Sequence, residues 1–178
     1  MPLVFQYGSN ATRGRLNGPE RLNGHAEDRG RACTVDDCDI TFDIWSQTNG
    51  CAASDLIHVP GRRAWGVLYE ISEEFIRGSR KDGQKTLEQI EGPRYKETTV
   101  RVCNQESQEV DALTFIVRDT ERRAGIATSA AYVSWIVYGL RDRGVPEDYI
   151  AHVVAIAIQT NECIRDGATE QIRLIKTL

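Results

Sequence analysis

Long apolar runs are missing from this 178-residue chain. A membrane-spanning helix needs about 20 such residues, so no span is expected. The N-terminus carries neither the basic start nor the apolar stretch of a secretion signal, and the expected compartment is cytoplasmic. A basic surplus is missing too: 22 Lys and Arg stand against 26 Asp and Glu, a net charge of -4. Nucleic-acid binding needs a clustered basic face. The densest basic stretch, Arg77, Arg80 and Lys81, is followed by Asp82 and Glu88 and reads as solvated surface. Neither nucleic acid nor membrane is expected as a partner. Metal-ligand spacing is also lacking. Cys33, Cys38, Cys51, Cys103 and Cys163 form no C-x-x-C pair. Cys33 and Cys38 bracket Asp36-Asp37, a spacing that a metal loop or a polar turn between strands would both produce. His25, His58 and His152 are scattered and read as surface or core residues. No zinc or redox motif is indicated.

What is present suits one soluble domain spanning 1–178, with 40% hydrophobic and 27% charged residues. Leu3-Val4-Phe5 reads as a short buried strand that stops at Gly8. Thr12 to Arg31 is polar and glycine-rich, and reads as a helical turn and a long loop. Ile40, Phe42 and Ile44 alternate within a strand from Cys38 to Ser46. Ala52 to Val59 is a second strand, closed by Pro60-Gly61. Ala64 to Ile71 carries the strongest strand signal, and Gly66 within it marks a bulge or a close backbone approach. Ser72-Glu73-Glu74 looks like a helix start. Lys85 to Glu91 reads as a short helix ended by Gly92-Pro93. Tyr95 to Cys103 and Val110 to Val117 read as paired strands.

From about residue 129 the period becomes helical. Tyr132, Trp135, Ile136, Gly139 and Leu140 share a face, and Gly144 ends that helix. Pro146 opens another, with Ile150, Val153, Val154 and Ala157 as its stripe. A last short helix is expected from about Thr169. Strands first and helices after give an α+β class with a mostly antiparallel, closed or strongly curved sheet.

Two stretches carry chemistry. The first is Tyr7-Gly8-Ser9-Asn10. Gly8 admits a positive φ or a close ligand approach, and Ser9 and Asn10 suit helix capping. Successive N–H groups there suit an anion or oxyanion, and a plain strand-ending turn has the same composition. The second is Leu87 to Tyr95. Glu91 is the last residue before a forced break, with Leu87 and Ile90 able to anchor that end inward. A carboxyl projecting there can be desolvated, which lifts its pKa toward that of a general base. A solvated helix-end acid fits the same pattern, and Glu88 is the rival. Tyr95 is either a hydrogen-bond donor to that pocket or a strand-edge packing residue.

In order and spacing, Tyr7-Gly8-Ser9-Asn10, then Trp65-Gly66-Val67-Leu68-Tyr69-Glu70-Ile71, then Ile90-Glu91-Gly92-Pro93-Arg94-Tyr95, resemble the γ-glutamyl cyclotransferase family. The Tyr132 helix and Gly144-Val145-Pro146 extend the resemblance to about Val154. It implies a small mixed, mostly antiparallel β-barrel with flanking helices. It also implies a cofactor-independent reaction on a small-molecule γ-glutamyl substrate. The α-amine attacks the γ-carbonyl, releasing 5-oxoproline and an amine or amino acid. By that resemblance Glu91 is the catalytic acid/base. Tyr7, Gly8, Ser9, Asn10 and, beside Glu91, Tyr95 form the substrate pocket.

Ala11 departs from the larger apolar residue often found in the family loop. The extension beyond Val154 is open to three roles: core, homodimer contact or lid. Three functions compete: action on a free γ-glutamyl amino acid or amine, action on a larger γ-glutamyl conjugate or carrier, and a non-catalytic binding domain. The leaving-group pocket is expected from loops 13–31 and 120–128. Arg122 and Arg123 either meet an anionic leaving group or form a solvated charge run.

Overall fold

Five strands close a barrel; numbered along the chain, their order around it is first, third, second, fourth, fifth. The structure is a computed structural model that describes residues 1–80 and 83–165. The helix expected from about Thr169 lies outside the described residues. The barrel strands are β1 (Leu3–Gln6), β2 (Ala26–Thr34), β5 (Trp65–Ile71), β6 (Tyr95–Asn104) and β7 (Glu109–Val117). Between them in sequence, β3 (Cys38–Ser46) and β4 (Cys51–His58) form a separate two-stranded sheet. The α+β class and the mixed, mostly antiparallel barrel agree with the sequence reading. Every barrel pairing is antiparallel except β1 with β7, where Val4 lies opposite Leu113. The Thr114 hydroxyl strengthens this short seam by donating to the Phe5 carbonyl at 2.8 Å.

Strand β2 corrects the sequence reading, which left residues up to Arg31 as loop. Its first half is polar and its alternation is broken, because the register against β5 shifts between Asp28 and Arg31. Gly30 sits in that bulge at φ +86, and its N–H donates to the Asp28 carboxylate at 2.8 Å. Asp28 also accepts from Arg143 at 2.6 Å. Partners that lie far away in sequence thus carry a stretch whose composition argues against a strand.

The helices are α1 (Arg13–Leu16), α2 (Glu73–Ile76), α3 (Leu87–Glu91), α4 (Ala130–Asp142) and α5 (Glu147–Thr160). Ser129 caps α4, its hydroxyl accepting the Tyr132 N–H at 3.2 Å. Val133, Ile136, Val137 and Leu140 of α4 are fully buried. Pro146 occupies the cap position of α5, one residue ahead of its first turn. Ile150, Val153 and Ala157 of α5 are buried, while Val154 is only partly so.

Helix α4 also fixes the first loop. A Cβ on Gly139 would meet the Thr12 nitrogen at 2.5 Å and the Ala11 carbonyl carbon at 2.6 Å. Those are backbone atoms, so they cannot swing aside. The loop is further tied by the Tyr69 hydroxyl, which donates to the Ala11 carbonyl at 2.9 Å, and by the Thr12 hydroxyl, which donates to the Trp135 carbonyl. Gly139→Ala is therefore expected to destabilise the protein by about 1–3 kcal/mol through overpacking, read as a lower urea midpoint at unchanged m-value. Gly66 is explained in the same way: the Gln6 carbonyl would lie 2.6 Å from its Cβ. Of the two expectations for Gly66, close approach is the one realised.

Candidate active site

Two stretches far apart in sequence meet at one end of the barrel. Strand β1 ends at Gln6 and turns through a single 3-10 turn, Ser9–Ala11. Helix α3 starts with the Thr86 N–H donating to the Gln89 side chain at 3.0 Å. It stops after Glu91, because Gly92 takes φ +86 and Pro93 follows. Leu87 is fully buried and Ile90 packs against the core, so this end is anchored as expected. Glu88 is exposed and does not line the cavity beside Glu91.

The two stretches are joined by one hydrogen bond. The Asn10 side-chain amide donates to the Glu91 carboxylate at 2.9 Å, and its oxygen accepts from Arg21 at 2.7 Å. Asn10 is therefore not a helix cap, as its position suggested. It bridges a guanidinium to the carboxylate. Burial pushes the Glu91 pKa above the ordinary glutamate value. The Asn10 hydrogen bond, Arg21, Gln6 and Arg15 pull it back, in that order, without cancelling the rise.

Glu91 stands at the junction of two spaces. Outward lies an open cavity of about 430 Å³, and inward lies a narrow niche of about 30 Å³. Ser9, Asn10, Tyr95 and Tyr132 line both. Tyr7 and Gly8 line only the niche. The structure thus brings all six sequence-predicted site residues to one place.

Their individual roles differ from the expectation in three respects. Gly8 has φ -94, so a left-handed backbone is not why glycine stands there. Space is the reason: a Cβ would sit 2.3 Å from the Ser54 hydroxyl oxygen. The Tyr95 hydroxyl is already engaged, donating to the Ser54 carbonyl at 3.0 Å. The Tyr7 hydroxyl is engaged too, donating to the Phe115 carbonyl at 2.6 Å. Burial raises both phenol pKa values well above the usual tyrosine range, so these rings act as neutral walls.

Sequence reasoning missed several residues here. Ser54 and Tyr132 share a hydrogen bond at 3.0 Å, and the Ser54 N–H donates to the Tyr132 oxygen at 3.1 Å. Gln6 is buried in the niche, and its Nε2 has no hydrogen-bond partner of ordinary geometry although the side chain lies beside Glu91. A glutamine inside an otherwise apolar β1 was the available signal. Because Ser54 is what crowds Gly8, the two positions are coupled. Gly8→Ala is expected to cost less stability in a Ser54→Ala background than alone, a non-additivity that a double-mutant cycle of urea midpoints measures.

The leaving-group expectation also changes. Loop 13–31 does contribute, through Arg15, Glu20 and Arg21, but no residue of 120–128 lines the cavity. The β3–β4 turn, with Gln47, Thr48 and Asn49, takes that place. Arg122 is committed elsewhere, donating to the fully buried Asp55 at 2.8 Å and pairing with Asp119. Among the described residues, no group of three or more His, Cys, Asp and Glu is placed to hold a metal ion, Cys33, Cys38, Asp36 and Asp37 included. None of their helices is long and apolar enough to cross a membrane.

Comparison with known proteins agrees with this fold. The family model described as the AIG2-like family matches residues 63–153. No curated protein matches the chain. Among solved structures, a γ-glutamyl cyclotransferase superposes with a TM-score of 0.70 at 20% identity, covering 93% of this chain and 98% of its own. An uncharacterized human protein gives 0.69 at 21% identity, covering 92% and 97%. A yeast γ-glutamyl cyclotransferase specific to glutathione gives 0.52 at 11% identity, covering 89% and 98%. At these identities the likeness is one of fold.

Proposed function

Since the chain belongs to the AIG2-like family, we propose that it is a γ-glutamyl cyclotransferase in which Glu91 is the general acid/base. The observation that carries this reading is the Glu91 carboxyl. It is desolvated, it is oriented by Asn10 at 2.9 Å, and it stands where a narrow niche meets a larger cavity. A helix-end acid serving only solubility has no need of burial or of a bridging amide.

The chemistry follows from those parts. The substrate's α-nitrogen attacks its own γ-carbonyl carbon. A C–N bond forms, and the C–N bond to the leaving group breaks. Glu91 accepts the proton lost by the attacking nitrogen and returns one to the departing nitrogen, so no water is consumed. Because the attack is intramolecular, holding the chain folded supplies much of the rate; effective molarities reach about 10⁵–10⁸ M in well-oriented cases. The niche takes the carbonyl oxygen as it becomes anionic. Its donors are the backbone N–H groups of Gly8, Ser9 and Asn10 and the Gln6 amide, which lies beside Glu91. Tyr7, Tyr95 and Tyr132 wall the site.

The reading is tested by incubating the protein with γ-glutamyl amino acids and γ-glutamyl amines and measuring 5-oxoproline by mass spectrometry. Release that depends on Glu91 is the expected result. Absence of release across the panel would leave action on a larger γ-glutamyl conjugate or the binding-domain reading.

A further inference from the structure

Four cations line the open cavity: Arg15, Arg21, Lys85 and Arg94. Among the described residues none of them is in an ion pair, although arginines elsewhere on this protein, such as Arg29, Arg77, Arg141 and Arg143, are. The hydrogen bonds that Arg15 and Arg21 do make go to neutral amides, Asn49 at 3.0 Å and Asn10 at 2.7 Å. The Arg15 Nε is buried and has no partner at all. The carboxylates of the lining are Glu20, which is exposed, and Glu91. With both ionised, the wall keeps two positive charges in excess.

Such an arrangement is unfavourable while the cavity is empty. Burial, and then the neighbouring Arg21 charge, lowers the Arg15 pKa; burial does the same to Arg21, with Glu91 opposing it. A partly desolvated guanidinium without a carboxylate is poised for an anion, since charge-assisted hydrogen bonds to carboxylates are the strong ones. Tuning of Glu91 accounts for part of the charge, because Arg21 and Arg15 both act on it. It leaves Lys85 and Arg94 without a role.

We propose that the leaving group is itself polyanionic: an acidic amino acid, or a peptide bearing one, joined through its amine to the γ-glutamyl group and held by Arg15, Lys85 and Arg94. The inference rests on the cyclotransferase reading. The glutamyl α-carboxylate meets Arg21, beside Asn10, and the remaining cations face the leaving group. Charge matching favours this over a neutral amine. A γ-glutamyl-glutamate molecule carries three carboxylates and one ammonium, a net charge opposite and equal to the excess on the wall. A γ-glutamyl amine carries no net charge and leaves the excess uncompensated.

The test is kcat/KM for 5-oxoproline release from γ-glutamyl-glutamate and from γ-glutamyl-glutamine, which are nearly isosteric and differ in one charge. Wild type is expected to prefer the glutamate conjugate by at least about tenfold, the effect of one hydrogen bond to a charged group. Added salt should shrink that ratio, because the cavity is open to screening. Arg94→Gln and, separately, Arg15→Gln should bring it toward one through loss of the glutamate conjugate's turnover. Arg15 stacks on Trp135 with 5.4 Å from its guanidinium to the ring, so Arg15→Gln is read with its Tm. Arg94 lies on the turn after α3 and provides the cleaner comparison. Equal turnover of both conjugates by wild type overturns this inference and leaves the cyclotransferase reading intact. No 5-oxoproline from either conjugate, or from the wider panel, overturns both.

Discussion

Glu91→Gln is expected to lower kcat for 5-oxoproline release by about 10²–10⁴-fold, the usual contribution of a positioned acid/base, and at the same time to raise Tm. Glutamine keeps the shape and can still accept from Asn10, but it cannot carry a proton between two nitrogens. The gain in stability follows from linkage. Burial holds the folded-state pKa of Glu91 above its ordinary value of 4.5. The folded protein therefore binds this proton more tightly than the unfolded chain does. As pH rises from the unfolded value through the raised folded value, wild type loses stability relative to the variant. Above the folded value the deficit is constant, and below the unfolded value it disappears.

Urea midpoints of both proteins between pH 4 and pH 8 should diverge with rising pH. The acid limb of kcat/KM should fall over the same window, since the base must be ionised to act. Equal activity of variant and wild type would remove Glu91 from the mechanism. Glu88→Gln, one turn back and exposed, should leave turnover unchanged. A residue that weakens the fold in its working ionisation state is what a stability–activity trade-off looks like at a single carboxyl.

Arg122→Met is expected to destabilise the protein by about 1–3 kcal/mol, because it removes the partly exposed partner of a fully buried carboxylate and strands the latter. Asp55 is fully buried. It accepts from the Val117 N–H, the Leu56 N–H and Arg122, each at 2.8 Å. Asp43 lies close by, 3.7 Å from Arg122, and its pKa is pushed up to about 6 by burial and the Asp55 charge. Without the guanidinium, two neighbouring carboxylates share one desolvated spot. The loss should therefore be largest above pH 6 and shrink at lower pH, as protonation relieves their repulsion. Folding free energies of small domains are only about 5–15 kcal/mol, so the variant should unfold at a lower urea concentration. Activity should fall as well, since Asp55 is the chain neighbour of Ser54 in the niche. An intact urea midpoint at pH 8 would mean that solvent reaches this cluster.

The local elements whose residues carry their own signal were legible in the sequence. Strand β3 runs from Cys38 to Ser46 as its alternation requires, and α3 ends at Glu91 because Gly92 and Pro93 leave no alternative. The α4 and α5 stripes were equally plain. These patterns depend on neighbours within a few residues, and those neighbours are written in order along the chain.

What depends on distant partners was not legible. Strand β2 looks like a loop until β5 and β6 pair with it and Gly30 absorbs its bulge. Gly8 reads as a turn residue and Gly139 as one member of a helix face until Ser54 and the Ala11–Thr12 backbone are seen to fill the space beside them. Arg122 reads as an anion contact or as part of a solvated charge run, whereas folding commits it to Asp55; folding leaves Arg15 and Arg94 facing an open cavity. Residue order along the chain determined an α+β protein with a conspicuous first turn and a forced helix end. Only the tertiary structure decided that Asn10 reaches Glu91 across 81 residues of chain. Only it decided which charges are paired and which are left facing the cavity, because pairing and desolvation are properties of space and not of sequence order.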